Sequence, residues 1–208
     1  MKTNNLIKIA VAAALVAAPL MANAESAFTT GAGTPITANA RLDFQITIPK
    51  ILYLRVGTGT AMAANATINQ IAFSVPAANL GDGTVISATA GSGDLGNGVV
   101  TAQVIGNNGT VTFTSTTLGA LGNGSGDTIS YAQIATAAAA NTSATVLAHP
   151  TLADAATTTV TLTPASGKVI NRDAKWTYTY ANAAVVAPGT YGGVNTNNSR
   201  VTYTASMP

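Results

Sequence analysis

The sequence predicts an all-β protein, an antiparallel sandwich with at most one short helix. Three observations carry that reading. Residues 36–48 alternate apolar and polar side chains without a break. Further short runs rich in Val, Ile, Thr and Tyr recur down the chain, separated every 8–12 residues by glycine- and asparagine-rich turns, the spacing of a sandwich. Only 8% of the 208 residues are charged, against about 25% in ordinary soluble domains.

The first element is a leader. In residues 1–24, Lys2 and Lys8 form a basic start, 9–20 an apolar stretch, and Ala22-Asn23-Ala24 a small-residue cleavage site. This is the layout of a secretory signal peptide, too short in its apolar part for a membrane anchor. Its removal takes away two basic side chains and leaves seven basic and seven acidic ones, so the +2 formal charge belongs to the leader. A mature chain without net charge has little repulsion between copies.

Residues 25–35 are small and polar, a flexible lead-in, and the single sandwich domain is read over 36–208. In 36–48, Ile36, Ala38, Ala40, Leu42, Phe44, Ile46 and Ile48 alternate with Thr37, Asn39, Arg41, Asp43, Gln45 and Thr47. A period of two over thirteen residues predicts a long strand with one buried face. Pro49-Lys50 interrupts it and 51–56 resumes as extended chain. Strands are then predicted at 67–75, 84–89, 98–105, 110–115, 128–134, 157–163, 174–181 and 200–206. Gly106-Asn107-Asn108-Gly109 joins two of them as a hairpin, because such turns need the positive φ that Asn and Gly tolerate. The alanine-rich 132–140 is the one candidate helix.

The chemistry available is narrow. There is no cysteine and a single histidine, which excludes disulfides, thiolate nucleophiles and a multi-histidine metal centre. No Lys/Arg cluster recommends nucleic acid as a partner. Gly91-x-Gly93-x-x-Gly96 follows a strand but runs into another strand, whereas a dinucleotide loop needs a helix there. His149 lies in Ala148-His149-Pro150 without a nucleophile elbow elsewhere, so it reads as a packing or surface residue. Asp82, Asp94 and Asp127 sit in glycine-rich turns without the spacing of a calcium loop. No cofactor, metal or catalytic residue is assigned, and the chain is read as a non-enzyme. Trp176, Tyr178 and Tyr180 alternate on one strand; they read first as core and second as a carbohydrate-stacking platform.

The stretches 40–57 and 168–208, with Trp176-Thr-Tyr-Thr-Tyr, the Pro188-Gly-Thr-Tyr191 turn and Arg200-Val-Thr-Tyr-Thr-Ala-Ser-Met-Pro208, resemble a family of secreted proteobacterial β-proteins. More loosely they are similar to the immunoglobulin-like pilins assembled by the periplasmic chaperone–usher route. That resemblance implies donor-strand exchange, in which one subunit's alternating segment completes the next subunit's sandwich. The plugs it implies are Ile36, Leu42, Phe44, Ile46 and Ile48. The inward face of the groove-bordering C-terminal strand is Val201, Tyr203, Ala205 and Met207. It implies identical subunits, a periplasmic chaperone and an outer-membrane usher as partners, and a place in a fimbria-like filament on the bacterial surface. The chain departs from many pilins in lacking a disulfide and in starting its alternation 11 residues into the mature chain. Periodicity alone fits both a donated strand and the domain's own first strand, and a monomeric secreted adhesin or carbohydrate-binding module is the rival function.

Overall fold

A computed structural model of the chain describes residues 26–208; the leader read over 1–24 lies outside them. Ten strands follow in order: β1 (Leu52–Val56), β2 (Ile86–Ser87), β3 (Val99–Gly106), β4 (Val111–Thr116), β5 (Leu121–Gly122), β6 (Thr128–Ile129), β7 (Ile134–Ala139), β8 (Thr157–Leu162), β9 (Ile170–Tyr180) and β10 (Thr202–Ser206). The only helical pieces among the described residues are two 3-10 turns, Ala77–Asn79 and Tyr131–Gln133. The chain is all-β, as its turn spacing predicts.

The chain divides into two units, Met1–Ile48 and Pro49–Pro208. In the first, residues 26–48 form no strand and every one of them is exposed. This corrects the strand predicted over 36–48, and with it the reading of 36–208 as one sandwich. The alternation encodes a face, and its apolar positions Leu42, Phe44, Ile46 and Ile48 are exposed.

The second unit holds the sandwich. Its larger sheet runs β1-β3-β9, with β7 on the far side of β9 and β2 pairing the end of β9. All these pairings are antiparallel, and β3 matches β9 from Val99↔Thr177 to Gly106↔Ile170. The smaller sheet is β10-β4-β8. β5 and β6 make a separate short ribbon. Asn107 in the predicted β3–β4 turn also pins the chain ahead of β1, accepting from Ile51 N at 2.8 Å and donating to the Pro49 carbonyl at 2.7 Å.

Alternation puts Val100, Ala102 and Val104 of β3 and Ala174, Trp176 and Tyr178 of β9 against Val111 and Phe113 of β4 and Leu162 of β8. The interior is short of large apolar side chains, so its few rings do most of the filling. Phe113 stacks on Trp176 and on Tyr203, each with ring centres 6.0 Å apart. Trp176 is fully buried and donates its indole N–H to the Leu147 carbonyl at 2.8 Å.

The allowance of at most one short helix holds, with none formed among the described residues, while several predicted strands contract, 84–89 to β2 among them. The alanine-rich 132–140 is not helical: a single 3-10 turn precedes strand β7. Its register opposes Ala138 to Trp176, Thr136 to Tyr178 and Ile134 to Tyr180. Small side chains opposite large rings fit a strand, and that packing overrides alanine's intrinsic preference. The strand at 67–75 contracts to an isolated bridge, Phe73↔Ala88, and that at 128–134 to β6 plus the 3-10 turn.

Candidate functional site

The plugs implied for 36–48 stand in water. Ile36 is 50% exposed, Leu42 75%, Phe44 85%, Ile46 84% and Ile48 76%. Solitary exposed apolar side chains are normal on proteins, but a contiguous series along one strand-like face marks an interaction surface. Pro49 follows directly. It has no N–H to give a ladder, so the alternating stretch ends there by chemistry as well as by pattern.

β10 (Thr202–Ser206) is an edge strand of the smaller sheet. Among the described residues it pairs only with β4, from Thr202↔Thr116 to Ser206↔Thr112, and its other edge has no strand partner there. Thr202, Thr204 and Ser206 are exposed. Val201, Tyr203, Ala205 and Met207 turn inward, only partly buried, against the core. Leu54 and Val56 of β1 are likewise half-buried against the same core. The end of β10 is tied down: Lys50 Nζ and Asn108 Nδ2 both donate to the Pro208 carbonyl, the second at 2.6 Å.

The inward end of Tyr203 belongs to a cluster that the sequence did not reveal. His149 Nε2 lies 2.6 Å from Tyr203 Oη and 3.1 Å from Tyr178 Oη, and the two hydroxyls are 3.0 Å apart. The imidazole stands edge-on to Trp176 with centres 4.6 Å apart. Burial holds the His149 pKa down at about 4, against an opposing backbone hydrogen bond at Pro150. The imidazole is therefore neutral near pH 7 and suited to accept a phenolic proton donor. Burial also pushes both phenols up, well above the usual tyrosine range. The three side chains form a buried hydrogen-bonded clasp joining β9, β10 and the 147–152 loop.

Trp176 is 0% exposed, Tyr178 6% and Tyr180 6%. Their faces are spent on the interior, and a sugar has no open ring to stack on. Asp82, Asp94 and Asp127 remain in separate turns, where each accepts from its own neighbourhood: Thr84 N at 2.7 Å, Thr101 N at 2.8 Å and Asn123 Nδ2 at 2.8 Å. Among the described residues no three His, Cys, Asp or Glu side chains gather as metal ligands. The Gly91–Gly96 loop packs against its own strand; a Cβ on Gly93 would sit 2.2 Å from the Val99 carbonyl oxygen, and its φ is +81°. The glycine there serves a close backbone approach, not a phosphate.

Asp173 is the buried carboxylate that sequence reading passed over. It is 1% exposed on β9 and accepts from Thr142 N, Ser143 N, the Thr142 hydroxyl and Asn141 Nδ2. Burial pushes its pKa up, but these hydrogen bonds outweigh it and the net shift is downward. It fixes the loop that delivers Leu147 to the Trp176 indole. Its sequence signal was no more than an acid directly ahead of the strand read over 174–181.

No protein family, curated protein or solved structure matches this chain. No helix among the described residues is long and apolar enough to cross a membrane.

Proposed function

We propose that the protein is a structural subunit of an extracellular bacterial filament or surface coat, exported through its leader and joined by strand exchange. Residues 36–48 of one copy pair with the free edge of β10 in the next. The observation that carries this reading is the exposed apolar series Leu42, Phe44, Ile46 and Ile48 on a segment outside every sheet. The sandwich supports it. The order β1-β3-β9-β7 is that of the A-B-E-D sheet of an immunoglobulin domain, and β10 beside β4 takes the places of F and C. Among the described residues no strand takes the place of G beside F. β8 departs from that plan by following β7 in the chain.

An inserted strand supplies the missing backbone ladder and puts its alternate side chains onto Tyr203, Ala205 and Met207. Burying the four large plugs contributes about 6–12 kcal/mol before ordering costs, at ~1.5–3 kcal/mol for each side chain. The partners are identical subunits, with the periplasmic chaperone and outer-membrane usher of the pilin resemblance escorting the unfilled edge.

The test is assembly of the mature chain and of Phe44→Asp/Ile46→Asp, followed by electron microscopy and hydrogen exchange. Wild type forms filaments in which 36–48 is protected. The variant forms no filaments and keeps an unchanged circular dichroism spectrum, because a carboxylate at a plug position costs several kcal/mol to desolvate. Filaments that persist in the variant refute the assignment of 36–48 as the donor.

A further inference from the structure

We propose that the loop after β1 builds a binding site for a single carboxylate group at the Arg55 guanidinium. Arg55 lies on β1 opposite Gln103 of β3. Its Nη1 donates to the Gly59 carbonyl at 2.7 Å, whereas its Nε is buried and has no hydrogen-bond partner. A cationic donor out of water and unpaired is costly, and an anion that accepts from it removes the cost.

The chain supplies no such acceptor. Residues 56–81, which carry the loop around Arg55, contain no charged side chain. Two acids belong to the same part of the sheet, and both are engaged elsewhere. Asp173, opposite Gln103 on β9, accepts from Thr142 N and Ser143 N, and Asp94 accepts from Thr101 N at 2.8 Å. The remaining charge in these rows is a cation, Lys175, opposite Thr101.

The loop is tied in place by its own hydrogen bonds. Tyr53 Oη donates to the Thr60 carbonyl at 2.7 Å, Thr58 N to Asn69 Oδ1 at 2.7 Å, and Asn69 Nδ2 to the Thr58 hydroxyl at 3.0 Å. Gly59 lies against the Arg55 stem, where a Cβ would come 3.4 Å from Cδ. These ties leave a cavity of about 80 Å³ bordered by Arg55, Tyr53, Thr58, Gly59, Asn65 and Thr67. One water needs about 10–15 Å³ of such space, so a small polar group fits. A pocket for a whole drug-sized molecule starts at roughly 300 Å³.

Charge and shape select the group. None of the other residues bordering the cavity is charged, so the site balances one negative charge. With Nη1 spent on Gly59, the Nε and Nη2 side of the fork remains, and it matches the two oxygens of a carboxylate. A sulfate or phosphate dianion would keep its second charge unpaired there.

The test titrates the full mature protein with sodium acetate, sodium glucuronate or sodium sulfate, chloride holding the ionic strength constant. NMR follows the Arg55 Nε–H and the Gly59 and Thr60 amides. A carboxylate should shift all three to saturation. In Arg55→Lys, which keeps the charge but loses the fork, the two amides should report binding weaker by roughly tenfold or more. Saturation by acetate assigns a free small acid, and saturation by glucuronate alone a sugar-borne carboxylate; both sustain the site. No saturable shift with either carboxylate overturns it, as does sulfate binding more tightly than both. Undiminished binding in Arg55→Lys also overturns it. The wild-type Nε–H resonance decides by itself if that variant fails to fold.

Discussion

Acid should loosen the clasp around His149, and the size of the effect follows from its surroundings. The imidazole is enclosed by Trp176 and Tyr178 of β9, Tyr203 of β10 and the Pro150 backbone, none of which carries a charge near neutral pH. Its pKa falls from 6.5 to about 4 on folding. The unfolded chain therefore binds a proton between those values that the folded chain refuses. The stabilisation from neutral burial is complete above pH 6.5 and is lost as the pH falls toward 4. At 1.36 kcal/mol per unit, the loss is about 3 kcal/mol. With a urea m-value of roughly 2 kcal/mol/M, the midpoint drops by about 1.5 M across that window. The assay is urea unfolding at half-unit pH steps, comparing wild type with His149→Gln. The variant starts lower, having lost the edge-on contact with Trp176, but should be flat where wild type slopes. Asp82 and Asp173, both held below the ordinary carboxylate value of 3.8, act only at lower pH and leave the window clear. Because the chain has one histidine, its ring proton resonance gives a second reading, with a midpoint near 4. Parallel slopes in the two proteins, or a midpoint near 6.5, would show that the imidazole is not sequestered.

Two further outcomes follow from the interior. Trp176→Ala empties the largest fully buried side chain and strands the Leu147 carbonyl; calorimetry should show a loss of about 3–5 kcal/mol, and a loss below 1 kcal/mol would contradict the packing described. Asp173→Asn removes a carboxylate that accepts from two backbone N–H groups. It should cost about 1.5–3 kcal/mol and raise amide exchange at Thr142 and Ser143 selectively. Unchanged exchange at those two amides would show that Asp173 does not hold the loop.

The strands most legible in the sequence are those whose own side chains specify a face and whose ends are marked by turn residues. β3 and β4 flank Gly106-Asn107-Asn108-Gly109, and β8 and β10 alternate threonine with apolar residues, so each was found within a residue or two. β9 was found in its second half, where Trp176, Tyr178 and Tyr180 alternate; its first half is longer than the pattern showed, because Asn171, Arg172 and Asp173 hide the periodicity. β7 was illegible for a different reason: alanine has no face of its own, and the rings of β9 opposite it decide the conformation. The candidate site was legible in parts. The plugs and the inward residues of β10 follow from alternation, whereas the His149 clasp joins positions 29 and 54 residues apart and leaves no periodic trace.

The sharpest meeting of sequence and structure is at Ile48 and Pro49, where the two units divide. Ahead of Pro49, the polar positions Thr37 to Thr47 make one face wettable, and the large apolar side chains between them are exposed. A single strand of that kind is not stable in water by itself, and it needs a ladder on at least one side. Proline then forbids the ladder from running on into the sandwich. Only Pro49, Lys50 and Ile51 separate the plug Ile48 from β1, and the first and last of these are held by Asn107 while Lys50 reaches the Pro208 carbonyl. Residues 49–51 are therefore held at three successive positions within the unit that carries the sandwich.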